Sequence, residues 1–187
     1  MAVAICCKIG FSLNRILPLL KSLKSPEGRF ELINIGQPFK VIVDFAHTPD
    51  GLMHVLEDAL MIANNDKRKL KVLFGCGGDR DRSKRLPMLT AVLEGSSQAF
   101  VTADNPRSES IDQIFSDMGF MARSKKTYQS VNYIPDRKRA ISLALDCAKS
   151  GDCVLIAGKG HETYQEFDGT VIPFDDRQVA RELLHLK

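Results

Sequence analysis

The sequence predicts an α/β fold, a Rossmann-like and mostly parallel sheet with helices on both faces. Short, near-continuous apolar runs alternate with segments apolar at helical spacing, as expected of strands buried on both sides. Lys71-Val72-Leu73-Phe74, Gln98-Ala99-Phe100-Val101-Thr102 and Cys153-Val154-Leu155-Ile156-Ala157 are such runs, and each ends in a polar turn. The third observation is size, because 187 residues with 44% hydrophobic content suit one compact domain.

Taken in order, Ala4 to about Leu23 carries apolar residues at helical spacing, and Ser25-Pro26-Glu27-Gly28 stops that helix and reads as a linker. Arg29 to Ile33 and Lys40 to Phe45 read as strands of a hairpin around Gly36-Gln37-Pro38. Thr48 can cap a helix whose first turn holds Pro49 and whose stripe is Leu52, Val55, Leu56, Ala59, Leu60 and Ile62, ending near Asn64-Asn65. Further helices are expected over Ser83 to Leu93 and Ser110 to Met118. After Asp136 comes another, carrying Ala140, Ile141, Leu143, Ala144 and Cys147, and a last one spans about Asp176 to His185. Segment 120–135, with Arg123, Lys125 and Lys126 as a solvated face, reads as an irregular exposed connection.

Composition excludes several functions. Net charge is only +3 with both signs interspersed, and no basic run with interleaved aromatics is present, so nucleic acid is not an expected partner. No stretch approaches the ~20 apolar residues that span a bilayer, and the start lacks a secretion pattern, so a cytoplasmic location is expected. The cysteines Cys6, Cys7, Cys76, Cys147 and Cys153 form no Cys-x-x-Cys pair, which argues for reduced thiols and against a zinc site. Cys76, flanked by glycines, receives no catalytic role.

Three standard motifs fail by one or two residues. Arg80 stands where the dinucleotide fingerprint begun by Gly75-x-Gly77 needs a glycine. In Gly158-Lys159-Gly160 the Ser or Thr of a P-loop is replaced, as is its first glycine, by Cys153. Gln165 occupies the second histidine position of a zinc-protease helix opened by His161-Glu162.

The turns that remain suit an amino acid. In Asp104-Asn105-Pro106-Arg107 the carboxylate and amide oxygen accept from an ammonium, the guanidinium takes a carboxylate in two parallel bonds, and Pro106 stiffens the loop. Gly75-Cys76-Gly77-Gly78-Asp79-Arg80-Asp81 and Gly158-Lys159-Gly160-His161-Glu162 also follow strands, so in an open parallel sheet all three converge on one crevice. Taken alone, Asp104 serves equally as the cap of the following helix, His47 as a turn histidine, Gly77-Gly78 as a tight turn, and Arg137 as a structural ion-pair partner. His54 and His185 read as surface residues.

Together with Gly28-Arg29-Phe30-Glu31, Asp44-Phe45-Ala46-His47-Thr48-Pro49-Asp50, Lys84-Arg85 and Asp136-Arg137, these turns stand in the order found in one family. The chain from about Pro26 onward resembles the C-terminal domain of the Mur ligase family, in the form of its diaminopimelate-adding members. The resemblance implies that residues 1–25 are the tail of the central ATP-binding domain and its linker, and that 26–187 form the C-terminal, acceptor-binding domain. It implies an ATP-dependent ligase of peptidoglycan synthesis, whose reaction makes an acyl phosphate on UDP-N-acetylmuramoyl-dipeptide and lets an amine attack it. ATP and Mg2+ would be held mainly, and the nucleotide-sugar substrate wholly, by domains this chain lacks, so no metal ligand, no catalytic residue and no turnover are expected of it alone. A monomer is expected.

By motif position Arg80, Asp104, Asn105, Arg107, Gly158 and Glu162 resemble the residues that hold meso-diaminopimelate. Arg107 would take the remote carboxylate and Asp104 or Glu162 the remote ammonium, while Arg80 suits the carboxylate beside the reacting amine. L-lysine lacks a remote carboxylate and would leave Arg107 unpaired. On the nucleotide side Asp44 would accept from ribose hydroxyls, with His47 and Arg29 near the base and phosphates. Lys84-Arg85-Leu86-Pro87 exchanges the family's usual proline and leucine, which puts the aim of Arg85 in question, and Phe45 replaces a frequent Tyr. The rival expectations are a lysine-adding or folylpolyglutamate-type ligase domain and a non-catalytic Rossmann-like binding module.

Overall fold

A computed structural model describes residues 2–20, 22–23, 25–119 and 130–186. The order is α1 (Ala2–Lys8), α2 (Leu13–Leu20), β1 (Glu31–Ile33), β2 (Lys40–Asp44), α3 (Pro49–Ile62), β3 (Leu70–Phe74), α4 (Arg85–Gly95) and β4 (Gln98–Thr102). It continues with α5 (Ile111–Asp117), β5 (Val131–Ile134), α6 (Arg137–Asp146), β6 (Cys153–Ala157), β7 (Tyr164–Phe167), β8 (Thr170–Pro173) and α7 (Asp176–His185). Short 3₁₀ turns precede β3 and α4.

Six strands form one sheet in the order β1-β2-β6-β3-β4-β5. From β2 to β5 every neighbouring pair is parallel, and β1 closes the edge antiparallel to β2 with Glu31 opposite Val43. Side chains alternate across the strands, and so the sheet has two cores. Ile42, Val72, Phe74, Val101 and Leu155 point to the face covered by α3, α4 and α5, while Val41, Val43, Leu73, Val154 and Ile156 point to the face covered by α6 and α7. The predicted fold class is the observed one.

Local chemistry accounts for the helix starts. The Thr48 hydroxyl accepts from the Gly51 amide, Ser110 from Gln113, Asp136 from Arg139, and Asp175 from Arg177, each at the foot of a helix. On α3 the residues Leu52, Val55, Leu56 and Ala59 are buried as expected, but Ile62 lies on the outer side.

Three expectations need correction, and one element is additional. The segment from Ala4 to Leu23 is two helices, because Gly10 takes the left-handed conformation (φ 101°) and ends α1 in a Schellman motif, with Gly10 N–H on the Cys7 carbonyl and Phe11 N–H on that of Cys6. Among the described residues of this region only Ile16 is buried. Arg29 and Phe30 precede β1 rather than open it, since Phe30 sits at φ 47°. Part of the expected irregular connection 120–135 is strand β5, paired to β4 with Val131 opposite Ala99, while Arg123, Lys125 and Lys126 lie outside the described residues. Strands β7 and β8 form an antiparallel hairpin that the sequence pattern did not suggest, turning on Asp168 and Gly169, both at positive φ.

The segment entering the domain lies against the turn after β6. Gly28 (φ 62°) has no room for a side chain, because a Cβ there would collide with the backbone of Gly160 and His161.

Candidate functional site

Strands β3 and β6 are neighbours, yet the chain leaves β3 toward α4 on one face and leaves β6 toward α7 on the other. At such a switch point the loops part and leave a crevice beyond the carboxyl ends of the strands. A cavity of about 270 Å³ occupies it. Arg80, Asp104, Asn105, Arg107, Gly158 and Glu162 all line this cavity, together with Phe45, His47, Cys76 and Lys84.

Its acidic side is built around a buried cation. Lys159 has no exposed surface, and its Nζ donates to Asn105 Oδ1 and Glu162 Oε2, both at 3.1 Å, with Asp104 Oδ1 at 3.8 Å. Asn105 Nδ2 donates to Glu162 Oε2 as well (3.1 Å), so the three side chains are locked together. Asp104 is 8% exposed and does not cap a helix; Ser110 does that. Burial raises the Asp104 carboxyl above its usual range, Arg137 and Lys159 oppose the rise, and Glu162 and Asp176 add to it. Gly158 (φ 112°) brings the backbone onto this carboxylate, since a Cβ there would sit 2.7 Å from Asp104 Oδ2.

The basic side is carried by Arg107 and Arg80. Arg107 holds its backbone at φ 53°, and the β7–β8 hairpin fixes it there: Arg107 N–H donates to the Glu166 carbonyl and Asp168 N–H to the Arg107 carbonyl. Its guanidinium donates through Nη1 to Gly78 O (2.8 Å) and lies against Glu166, Nε to Oε2, at 3.2 Å. Arg80 is exposed at the rim and donates to the Asp79 carbonyl.

Two buried arginines brace the turns from beneath. Arg85 aims away from the cavity and grips Glu109 and Asp117 while donating to Gly77 O at 3.1 Å, tying the turn after β3 to α5. Its Nε is buried without a partner among the described residues. Arg137 pairs bidentately with Asp176 and donates to the carbonyls of Ala103 and Ala157, at the ends of β4 and β6. Cys76, on the cavity floor, has its thiol pushed up to about 12 by burial, which keeps it protonated and inert at neutral pH.

The three residues expected near a nucleotide separate. His47 reaches the cavity rim, with Nδ1 bonded to the Phe45 carbonyl. Arg29 and Asp44 do not line the cavity. The Arg29 guanidinium lies 4.5 Å from the centroid of the Phe45 ring, which also contacts His47 (4.6 Å) and His161 (5.0 Å), giving a cation and aromatic face at the mouth. Asp44 receives the amides of Phe30 and Ala46, both at 2.7 Å, one on each oxygen. No cluster of His, Cys, Asp or Glu suited to a metal ion exists among the described residues.

A family model described as Mur ligase, glutamate ligase domain matches residues 28–160. The chain belongs to the Mur ligase family. Among curated relatives it is 48% identical to the UDP-N-acetylmuramoyl-L-alanyl-D-glutamate–2,6-diaminopimelate ligase of Geobacillus thermodenitrificans and 44% identical to that of Fusobacterium nucleatum. Each match covers 96% of this chain and 36% of the relative, so the chain spans about a third of the length of these proteins. A solved structure of a ligase of that name superposes with a TM-score of 0.76 at 37% identity, over 99% of this chain and 37% of the other. The folylpolyglutamate synthase of Thermotoga maritima, at 22% identity and a TM-score of 0.55, shares the fold alone.

Two further residues shape this site without having been candidates from the sequence, Lys159 and Glu166. Lys159 entered only as the lysine of a failed P-loop, although a lysine between two glycines at a strand end, three residues before a glutamate, was a visible signal. Glu166 had none, because its role depends on the hairpin.

Proposed function

We propose that this chain is the amino-acid-accepting domain of an ATP-dependent ligase that joins meso-diaminopimelate to UDP-N-acetylmuramoyl-L-alanyl-D-glutamate in the synthesis of peptidoglycan. The observation that carries the proposal is the pairing of an acidic side (Asp104, Glu162) with a basic side (Arg107, Arg80) on one cavity of about 270 Å³. An acceptor with an ammonium and a carboxylate at its remote end complements both sides at once, whereas L-lysine offers no remote carboxylate to Arg107. In this assignment Asp104 and Glu162 receive the remote ammonium, Arg107 the remote carboxylate, and Arg80 the carboxylate beside the nucleophilic amine, with Asn105 and Gly158 shaping the contact.

The domain's contribution to catalysis is placement. Holding the amine against an acyl phosphate and excluding water converts a bimolecular encounter into a local one, and no side chain here is assigned an acid-base role. ATP would meet this domain along its rim, where the Phe45, His47 and Arg29 face offers stacking and positive charge. With both oxygens of Asp44 already receiving amides, ribose hydroxyls there would share occupied acceptors. Mg2+ travels with ATP in this proposal, and no residue of this chain is assigned to it. Residues 1–25 are proposed as the tail of an ATP-binding domain and 26–187 as the acceptor domain, acting in a cytoplasmic monomer. No helix among the described residues is long and apolar enough to cross a membrane.

Amide NMR titration of the chain with meso-diaminopimelate, with L-lysine as control, tests the proposal. Shifts at Arg80, Asp104 to Arg107 and Gly158 to Glu162 are expected with the first ligand only. R107A is expected to weaken meso-diaminopimelate binding at least ~10-fold, about the loss of one charge-assisted bond, and to erase the preference over lysine. An equal response of the unmodified chain to both ligands would refute the assignment of Arg107.

A further inference from the structure

Asp104 and Glu162 share one side of the cavity, and two like charges placed together in a buried setting favour protonation of one of them. A neutral acid there would lose much of its attraction for an ammonium. The groups facing Asp104 come from four elements: Arg137 of α6, Asp176 of α7, Cys76 after β3, and Lys159 and Glu162 after β6. Arg137 is the stronger of the two cations acting on Asp104, but it is matched by Asp176 in a bidentate pair, and Asp176 itself pushes the Asp104 carboxyl up. Lys159 remains. It is fully buried, lies 3.1 Å from Glu162 Oε2 and 3.8 Å from Asp104 Oδ1, and its third neighbour, Asn105 Oδ1, is neutral. The Tyr164 ring, 5.4 Å away, covers it from the hairpin side.

We propose that Lys159 is a positioning residue, the internal counter-ion that holds Asp104 ionised and Glu162 turned toward it as the receptor for the acceptor's remote ammonium. One cation between two carboxylates leaves that side of the cavity with a net charge of about −1, enough to attract an ammonium without leaving the buried Asp104 uncompensated beside a second carboxylate. The inference deepens the acceptor-site assignment and depends on it for the identity of the ligand, but its electrostatic content concerns the ligand-free protein.

The experiment separates the two. Side-chain carboxyl ¹³C shifts of Asp104 are followed against pH in the unmodified chain, in K159M and in K159R, with amide spectra reporting the fold. K159M is expected to raise the Asp104 midpoint by about one pH unit or more, equivalent to at least a tenfold change in ionisation, and K159R to restore most of it. A midpoint in K159M that stays within ~0.3 units of the parent overturns the proposal. Should K159M fail to fold, K159Q, which keeps a donor for Asn105 and Glu162, takes its place. The unmodified chain gives an independent readout as well: the Lys159 ammonium should exchange slowly with water and show a cross-peak to the Glu162 carboxylate, and fast exchange there would equally overturn the idea. Binding of meso-diaminopimelate to K159M should fall at least ~10-fold at pH 7 and recover as pH rises, because Asp104 then ionises without help. If the carboxyl titrations behave as expected but the unmodified chain binds no meso-diaminopimelate, the ligand assignment fails and the counter-ion role stands.

Discussion

At the scale of single residues, the site depends on close approach as much as on charge. Gly158 lets the β6 turn pass over Asp104 Oδ2, and its φ of 112° is one that side chains rarely adopt. G158A should therefore cost about 1–3 kcal/mol in chemical denaturation and should push the Asp104 carboxylate aside, visible as a displaced Asp104 carboxyl signal. A domain as stable as the parent with an unmoved Asp104 signal would contradict this account. Charge type and spacing made Asp104, Asn105, Arg107 and Glu162 legible as a group. Lys159 was only partly legible: its spacing from Glu162 could be seen, but its depth and the approach of Asp104 exist only in the folded chain. The aim of Arg85 away from the cavity was hidden because its partners are distant in sequence: Glu109 and Asp117 lie 24 and 32 residues further along the chain.

At the scale of elements, caps and strand runs were readable where the relevant chemistry is local. Thr48, Ser110 and Asp136 each do what their side chains favour, and α7 spans Asp176–His185 as expected from its own periodicity. Loss of the Thr48 cap in T48A should cost about 1 kcal/mol, read as a lower midpoint in thermal unfolding, since the Gly51 amide would lose its acceptor. An unchanged midpoint would mean that water satisfies the amide equally well. Elements defined by distant partners were missed. Strand β5 contains Asn132 and Tyr133 and is only partly buried, so it lacks the apolar signature of an interior strand. The β7–β8 hairpin carried a signal in Asp168-Gly169, but its exposed β8 gave no alternation to support it. That hairpin positions Arg107, so part of the site's basic side rests on an element the sequence pattern did not show.

At the scale of the molecule, buried carboxylates at the two ends of the strands are shifted in opposite directions. Near the amino ends, Lys71 and Asp152 form a buried pair at 2.6 Å. Burial tends to raise the Asp152 carboxyl, but hydrogen bonds from the Lys71 ammonium and the Lys149 amide outweigh it, and the net direction is downward. Its stabilising contribution is therefore present above the ordinary carboxylate range and is lost as pH falls through its depressed folded value. Asp104 works in the other sense, because its raised carboxyl favours the fold in acid and that contribution is lost as pH rises through its folded value. K71M should cost about 3 kcal/mol in guanidinium denaturation at pH 7, since it strands a buried carboxylate. It should also flatten the loss of stability on going to acid, because Asp152 would no longer release a bound ammonium there. A K71M domain with the parent's acid profile would show that other carboxylates dominate.

The contact of Gly28 with Gly160 and His161 has a mechanical consequence. Two backbones that touch without side chains between them cannot slide independently, so the entry segment and the turn bearing Lys159 and Glu162 behave as a single joint. Any body attached before residue 26 would, in turning, act as a lever on that joint. Glu162 and Lys159 would feel that lever first, and Asn105, hydrogen-bonded to both, would pass the load to the turn that carries Asp104 and Arg107.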